Sequence, residues 1–279
     1  MDKKQLSKSE TAGSPDRFGY EWGTYNEVLP IYEEQFRRWT PHFSANDWTG
    51  KSFLDVGCGM GRNSYWPMTY GAASSLSIDI DDRSLAAAKH TLSQFETSRV
   101  RRASAYEIDE VDKFDITFSI GVIHHLEKPD QALAQMTHAT KPGGKVAIWV
   151  YGLENNRWII VFFNPLRKAL FSWLPIKLVH FLSLFPTALL WALLKMGFGR
   201  TQYMKLIRNF SFPHLRSIVF DQMLPQIANY WPKEKVHALL SEAGLEDIKM
   251  QWVNEMSWAA VGTKPVNGGD ADQERPETQ

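Results

Sequence analysis

The stretch Phe53-Leu54-Asp55-Val56-Gly57-Cys58-Gly59-Met60-Gly61-Arg62 constrains this chain more than any other. An apolar run ends in an acidic residue, a Gly-x-Gly-x-Gly turn follows at once, and a helix-like segment starts at Arg62. Glycines at alternate positions allow a tight strand-to-helix turn and let bare backbone approach a ligand. A second short run, Leu76-Ser77-Ile78-Asp79, ends in an acidic residue eighteen positions after Gly61. At the tip of the next parallel strand, a carboxylate at that offset accepts from two ribose hydroxyls.

These features together resemble the class I S-adenosylmethionine (SAM) dependent methyltransferases. The dinucleotide fingerprint is Gly-x-Gly-x-x-Gly, and here the third glycine comes one residue too early for it. Two further blocks carry the resemblance. Phe114 to Leu126, ending in Ile123-His124-His125-Leu126, is similar to the fourth-strand block of the ubiquinone and menaquinone C-methyltransferase group. Lys141-Pro142-Gly143-Gly144-Lys145 with Val146 to Val150 is similar to the turn and strand after it. The resemblance covers about residues 50–152 well and about 232–263 in outline. It implies an α/β fold, a Rossmann-like seven-stranded, mostly parallel sheet, with SAM as cofactor.

The resemblance also implies roles for residues. Asp55 neutralises the methionine ammonium, directly or through water, and Gly57, Gly59 and Gly61 border the methionine and ribose. Asp79 binds the ribose, Ile80 lies along adenine, and Ile120 and Val122 sit beneath the methyl group. Many relatives place an acidic residue on the third strand's tip to bind the adenine amino group. This chain has Arg102-Ala103-Ser104-Ala105-Tyr106 there, which leaves the contact to Ser104 or to the Ala105 backbone.

The 279 residues suffice for one sizeable domain with an insertion. Zero formal net charge supplies no global field to recruit nucleic acid, and none is expected as a partner. The single Cys58 excludes an intrachain disulfide and fits a reducing, cytoplasmic compartment; inside the turn it reads as a small filler rather than a nucleophile. Met1 to Asp16 is polar and lacks the apolar core of a secretory signal. Residues 1–17 and 265–279 have disorder-prone composition.

Between the tails, residues 18–152 read as an N-terminal helical segment plus the cofactor-binding core, in which strands alternate with helices as in a parallel sheet. Residues 232–264 read as a final helix and two closing antiparallel strands. Residues 153–231 interrupt the rhythm with apolar runs divided by Pro165, Pro175 and Pro186. Leu178 to Leu194 holds no Asp, Glu, Lys or Arg, the lower edge of a membrane span. The insert therefore reads as a span, as a helical lid packed on the core, or as a lid whose apolar face meets a membrane surface or a lipid-like acceptor. Lys168, Lys177, Lys195, Arg200, Lys205 and Arg208 flank its apolar runs, as suits anionic headgroups or any solvated helix end.

Methyl transfer needs a general base only where the nucleophile is a hydroxyl or an acidic carbon. His124 and His125 have imidazoles of suitable pKa for that, or else pack. Tyr20, Glu21 and Trp22 form a second cluster, from which Tyr20 or Trp22 closes over the sulfonium or simply starts an amphipathic helix. His214, Asp221 and Tyr230 stand near apolar sequence and are candidates for the acceptor pocket. No Cys/His spacing suggests a metal, and adjacent His124 and His125 are expected to point apart. The function that follows is O- or C-methylation of a small-molecule or lipid-like acceptor (quinone-, lipid- or polyketide-like), with peripheral membrane contact as an option. The other classes are a noncatalytic SAM-binding protein docked on a membrane or partner, and a nucleotide-dependent oxidoreductase.

Overall fold

In the computed structural model, which describes residues 7–12, 14–199 and 201–266, seven strands form one sheet. They are β1 (Ser52–Val56), β2 (Ser74–Asp79), β3 (Ser98–Arg102), β4 (Phe114–Ile120), β5 (Thr140–Tyr151), β6 (Glu246–Val253) and β7 (Ser257–Thr263). Their order is β3-β2-β1-β4-β5-β7-β6. β1 to β5 are parallel, and β7 runs antiparallel between β5 and β6. This is the expected Rossmann-like, mostly parallel seven-stranded sheet. The order reverses beside β1, so a crevice opens at the carboxyl ends of β1 and β4.

Helices cover both faces. They include α5 (Arg62–Thr69), α6 (Asp82–Thr91), α7 (Pro129–Ala139) and α13 (Lys233–Glu242), preceded by α1 (Lys8–Ala12), α2 (Pro15–Thr24), α3 (Ile31–Trp39) and α4 (Ala45–Trp48). On one face Leu54, Val56 and Ile78 pack with Leu133, Met136 and Leu239; on the other Phe53 and Phe118 pack with Phe36 and Trp48. The two faces of β1 and β4 are both apolar, as a sheet buried on both sides requires.

The composition of residues 1–17 suggested disorder, and residues 8–12 and 15–17 are instead helical. Pro15 supplies the first turn of α2, and Arg17 donates to the Phe171 carbonyl at 2.8 Å, so tertiary contacts order polar sequence. The remaining tail positions, 1–6, 13 and 267–279, and Arg200 lie outside the described residues.

Residues 153–231 leave the sheet after β5 and return beside it. Leu153 N donates to Trp231 O at 3.0 Å and Trp231 N to Tyr151 O at 3.1 Å. In between lie α8 (Asn164–Leu166), flanked by wider π turns, then α9 (Ile176–Leu182), α10 (Leu184–Lys195), α11 (Gln202–Ile207) and α12 (Phe212–Met223). Val179, Phe220, Met223 and Leu224 pack on Phe18, Tyr20 and Tyr25, which joins the insert to α2. Its outer face carries Phe162, Trp173, Phe181, Phe185 and Leu189 in the open. Residues Ile176–Lys195 are long and apolar enough to cross a membrane by length and composition, with 17% of that stretch buried.

Candidate functional site

β1 delivers the chain into the glycine turn at the crevice. Gly57 N and Cys58 N both donate to Ile78 O at 2.9 Å, which ties the turn to β2. Asp79 closes the arrangement from the other side. Its Oδ2 accepts from Gly59 N at 2.9 Å, and its Oδ1 from Ile80 N at 2.8 Å and Asp81 N at 3.0 Å. Burial pushes the Asp79 carboxyl above the usual range while the three amides pull it back. A carboxylate has about four acceptor positions, so about one is left for a ligand hydroxyl.

A chamber of about 450 Å³ starts at this carboxylate. Its half nearest Asp79 is lined by Gly57, Gly59, Asp79, Ile80, Ser104, Ala105, Ile120, Val122 and Trp22, all singled out from sequence. A Cβ on Gly59 (φ +53°) would stand 2.9 Å from Trp22 Nε1, so the indole lies directly over the bare backbone. Two anticipated residues are elsewhere. Gly61 packs against α6, where a Cβ would come within 3.2 Å of Ala88 Cα, so it serves helix packing. Asp55 lies beneath the turn, with its Oδ2 held by Ser64 Oγ at 2.7 Å and Ser64 in turn bonded to Ser77. That buried hydroxyl network draws the carboxylate away from the chamber, and burial pushes it up to about 7.

The other half of the chamber is built from segments far apart in sequence. His214, Asp221 and Tyr230 all line it, as does His125. His214 stacks on Phe210 with ring centroids 4.0 Å apart, and burial pushes its imidazole down to about 3. Tyr230 stacks on Tyr151 at 5.4 Å. His125 Nδ1 meets the Ile227 carbonyl at 2.7 Å, and burial lowers its imidazole to about 4. Nδ1 must donate there, which leaves a weakly basic Nε2.

The other two proposed catalytic residues do not reach the chamber. His124 is fully buried, its ring tilted against Tyr151 with centroids 3.9 Å apart, and neither of its ring nitrogens has a partner among the described residues. The histidines also do not point apart: their ring centroids are 4.2 Å from each other, because Ile123–His125 is a tight 3-10 turn rather than strand or α-helix. Tyr20 turns into the insert, with its hydroxyl 3.4 Å from His180 Nδ1 and its ring against Phe220.

Glu21, Arg62, Trp39, Trp149 and Tyr151 complete the walls. Glu21 is 1% exposed on α2, and its carboxyl faces Asp221 of α12. Burial and that second carboxyl hold Glu21 well above the usual range, with Asp221 at about 6. The Arg62 guanidinium stands over the rings of Trp22 (4.8 Å), Tyr32 (4.9 Å) and Trp39 (5.4 Å). Tyr151 donates to Asp221 Oδ2 at 3.4 Å and accepts from Gln222 Nε2 at 2.8 Å. A glutamate and a tyrosine carry no motif of their own, and only the fold brings them together.

A seven-stranded sheet of this order, with a glycine turn after β1 and a carboxylate at the tip of β2, defines the Rossmann-like class I methyltransferases. The family model described as "Methyltransferase domain" matches residues 54–148. Residues 54–148, about a third of this chain, thus match that SAM-dependent methyltransferase family. The cradle fits the cofactor: bare backbone at Gly57 and Gly59, one open carboxylate position at Asp79, and the Ile80 and Ser104–Ala105 wall follow one another along the strand tips.

The chain is 29% identical over 157 residues to a tRNA U34 carboxymethyltransferase of Klebsiella pneumoniae, covering 50% of this chain and 46% of that one. It thus spans about half the length of such curated relatives. Among solved structures it superposes on the Burkholderia thailandensis 1,6-didemethyltoxoflavin-N1-methyltransferase with bound 1,6-didemethyltoxoflavin and S-adenosylhomocysteine (SAH). The TM-score is 0.57 at 13% identity, covering 95% of this chain and 93% of that one. Human N-acetylserotonin methyltransferase in complex with SAM gives a TM-score of 0.55 at 16% identity, covering 91% and 58%.

The tRNA-named relatives correct the partner expectation drawn from sequence, a small-molecule or lipid-like acceptor with no nucleic acid. The physical reason lies in averaging. Zero net charge conceals residues 155–220, which hold nine Lys and Arg and no Asp or Glu. A locally basic stretch of sequence can attract phosphates whatever the total charge.

Proposed function

We propose that this chain transfers a methyl group from SAM to the oxygen or carbon of a compact acceptor, or of a compact moiety, enclosed between the sheet and residues 153–231. When bound, SAM supplies an activated methyl group. The protein's own task is then to orient the nucleophile, exclude water and handle its proton. Asp79 would hold the ribose, Ile80 the adenine face, Ser104 or the Ala105 backbone the adenine edge, and Trp22 the region over Gly59. The observation that carries the reading is the single chamber whose one half is the cofactor cradle and whose other half is the aromatic wall with His214, Asp221 and Tyr230. We take residues 153–231, with α2, as the cover of the acceptor half.

A second reading, transfer to tRNA, is favoured by the tRNA-named relatives and the basic insert. It requires a single base to enter the chamber, as in other enzymes that act on an extruded base. One assay separates the two. The chain is incubated with methyl-tritiated SAM and, in parallel, a panel of hydroxylated aromatic compounds or unfractionated tRNA. Label in small compounds with none in tRNA supports the first reading; label in tRNA alone replaces it by the second.

A further inference from the structure

The carboxyl pair in the chamber is not among the residues that form the glycine-turn and Asp79 cradle, and a stable core has no use for it. Glu21 is buried to 1% exposure, and its Oε2 has no hydrogen-bond partner among the described residues. Its other carboxyl contact is Asp221, half-buried on the facing wall. Burying a carboxyl with an unmatched oxygen is costly, and apolar residues of similar volume would serve packing better. Both side chains line the same chamber as Gly57, Gly59 and Val122. Glu21 directly precedes Trp22, whose indole covers Gly59.

We infer that Glu21 and Asp221 are the proton-accepting site for an acceptor that attacks through a phenolic or enolic hydroxyl, and that the pair becomes fully charged only beside the sulfonium of SAM. This rests on the cofactor reading above. Two carboxylates in contact hold one proton between them, since both cannot ionise cheaply in a buried site. The groups facing the pair are Arg62, Arg167, Tyr25, Tyr151, Tyr203 and Tyr230. Burial raises all four of these tyrosines, so they stay neutral near pH 7. Burial and the neighbouring carboxyl outweigh the pull of Arg62 at Glu21, so the second ionisation needs a further cation. A sulfonium provides it and thereby displaces the shared proton. In the transfer step the hydroxyl proton passes to a carboxylate oxygen. The hydroxyl oxygen forms the new O–CH3 bond, and the S–CH3 bond breaks with its electron pair left on sulfur. The products are the methyl ether, SAH and the reprotonated pair.

The test needs no acceptor. Binding of SAM and of SAH to the full chain is measured calorimetrically at pH 7 in phosphate and in Tris, whose ionisation heats differ, so the proton count of each event is obtained. The α-ammonium is common to both ligands and cancels. The expected result is proton release with SAM in excess of that with SAH, and loss of this excess in both Glu21→Gln and Asp221→Asn, each still binding SAH. Thermal melts identify any variant that does not fold, and the other then decides. Equal proton counts for SAM and SAH in the wild type, or an excess that survives both substitutions, overturn the inference while leaving the cofactor reading intact. Failure of the wild type to bind either ligand removes the cofactor reading and the inference together.

Discussion

Replacing Asp79 tests the cofactor cradle with a magnitude that the geometry sets. Three backbone amides, of Gly59, Ile80 and Asp81, converge on its two oxygens at 2.8–3.0 Å. That leaves about one acceptor position for a ribose hydroxyl. A hydrogen bond to a charged group contributes about 1.5–3 kcal/mol, so Asp79→Ala should weaken SAM binding by roughly tenfold to a hundredfold. The freed amides face a solvent-accessible chamber and can bond water, so the fold should survive. Asp79→Asn should not restore affinity. Its Oδ1 can keep the Ile80 and Asp81 amides, but its NH2 then meets the Gly59 N–H donor to donor. Calorimetric titration with SAM, beside circular dichroism to confirm folding, is the assay. Unchanged affinity in a folded Asp79→Ala protein would refute the reasoning and remove the ribose from this site.

Three other perturbations have defined outcomes. Gly59→Val forces a side chain against the Trp22 indole at a left-handed φ, so SAM binding should be lost and the tryptophan emission shifted while helical content holds; tight binding would put the cofactor elsewhere. His124→Phe removes two buried, unpartnered ring nitrogens at nearly constant shape and should leave the melting temperature equal or higher, with SAM affinity unchanged; a fall of more than about 2 kcal/mol in stability would mean that an unseen partner holds the imidazole. Asp55 holds its proton to about pH 7 in the folded chain against about 3.9 unfolded, so the native state binds the extra proton and stability falls as pH rises through that window, by up to about 4 kcal/mol. Asp55→Asn should flatten the decline in melts between pH 4.5 and 8, and an unaltered slope would show that Asp55 is ionised throughout.

What sequence made legible is what local chemistry dictates. The turn at Gly57 and Gly59 and the carboxylate of Asp79 lie at fixed offsets from strand ends, and the strand alternation itself announced the parallel sheet. Asp55 belongs to the same motif, but the side it faces depends on Ser64 and Ser77, hydroxyls on two other elements. The His124-His125 pair was conspicuous as a sequence feature, yet a three-residue turn buries one ring under Tyr151 and leaves only the other at the chamber. His214, Asp221 and Tyr230 were anticipated because polar groups within apolar sequence need a reason. The Glu21–Asp221 pair was not, since its members are two hundred positions apart and meet only where α2 packs on α12. Net charge misled about partners because it averaged the acid-free stretch 155–220 with an acidic remainder.

The most direct measurement on the central claim is a crystal structure of the chain with SAH. The account predicts the ribose against Asp79, the adenine along Ile80 beside Ser104 and Ala105, and the sulfur directed toward the wall formed by Tyr151, Glu21 and Asp221. Density for SAH at any other surface, or in this chamber with its sulfur turned away from that wall, would contradict it.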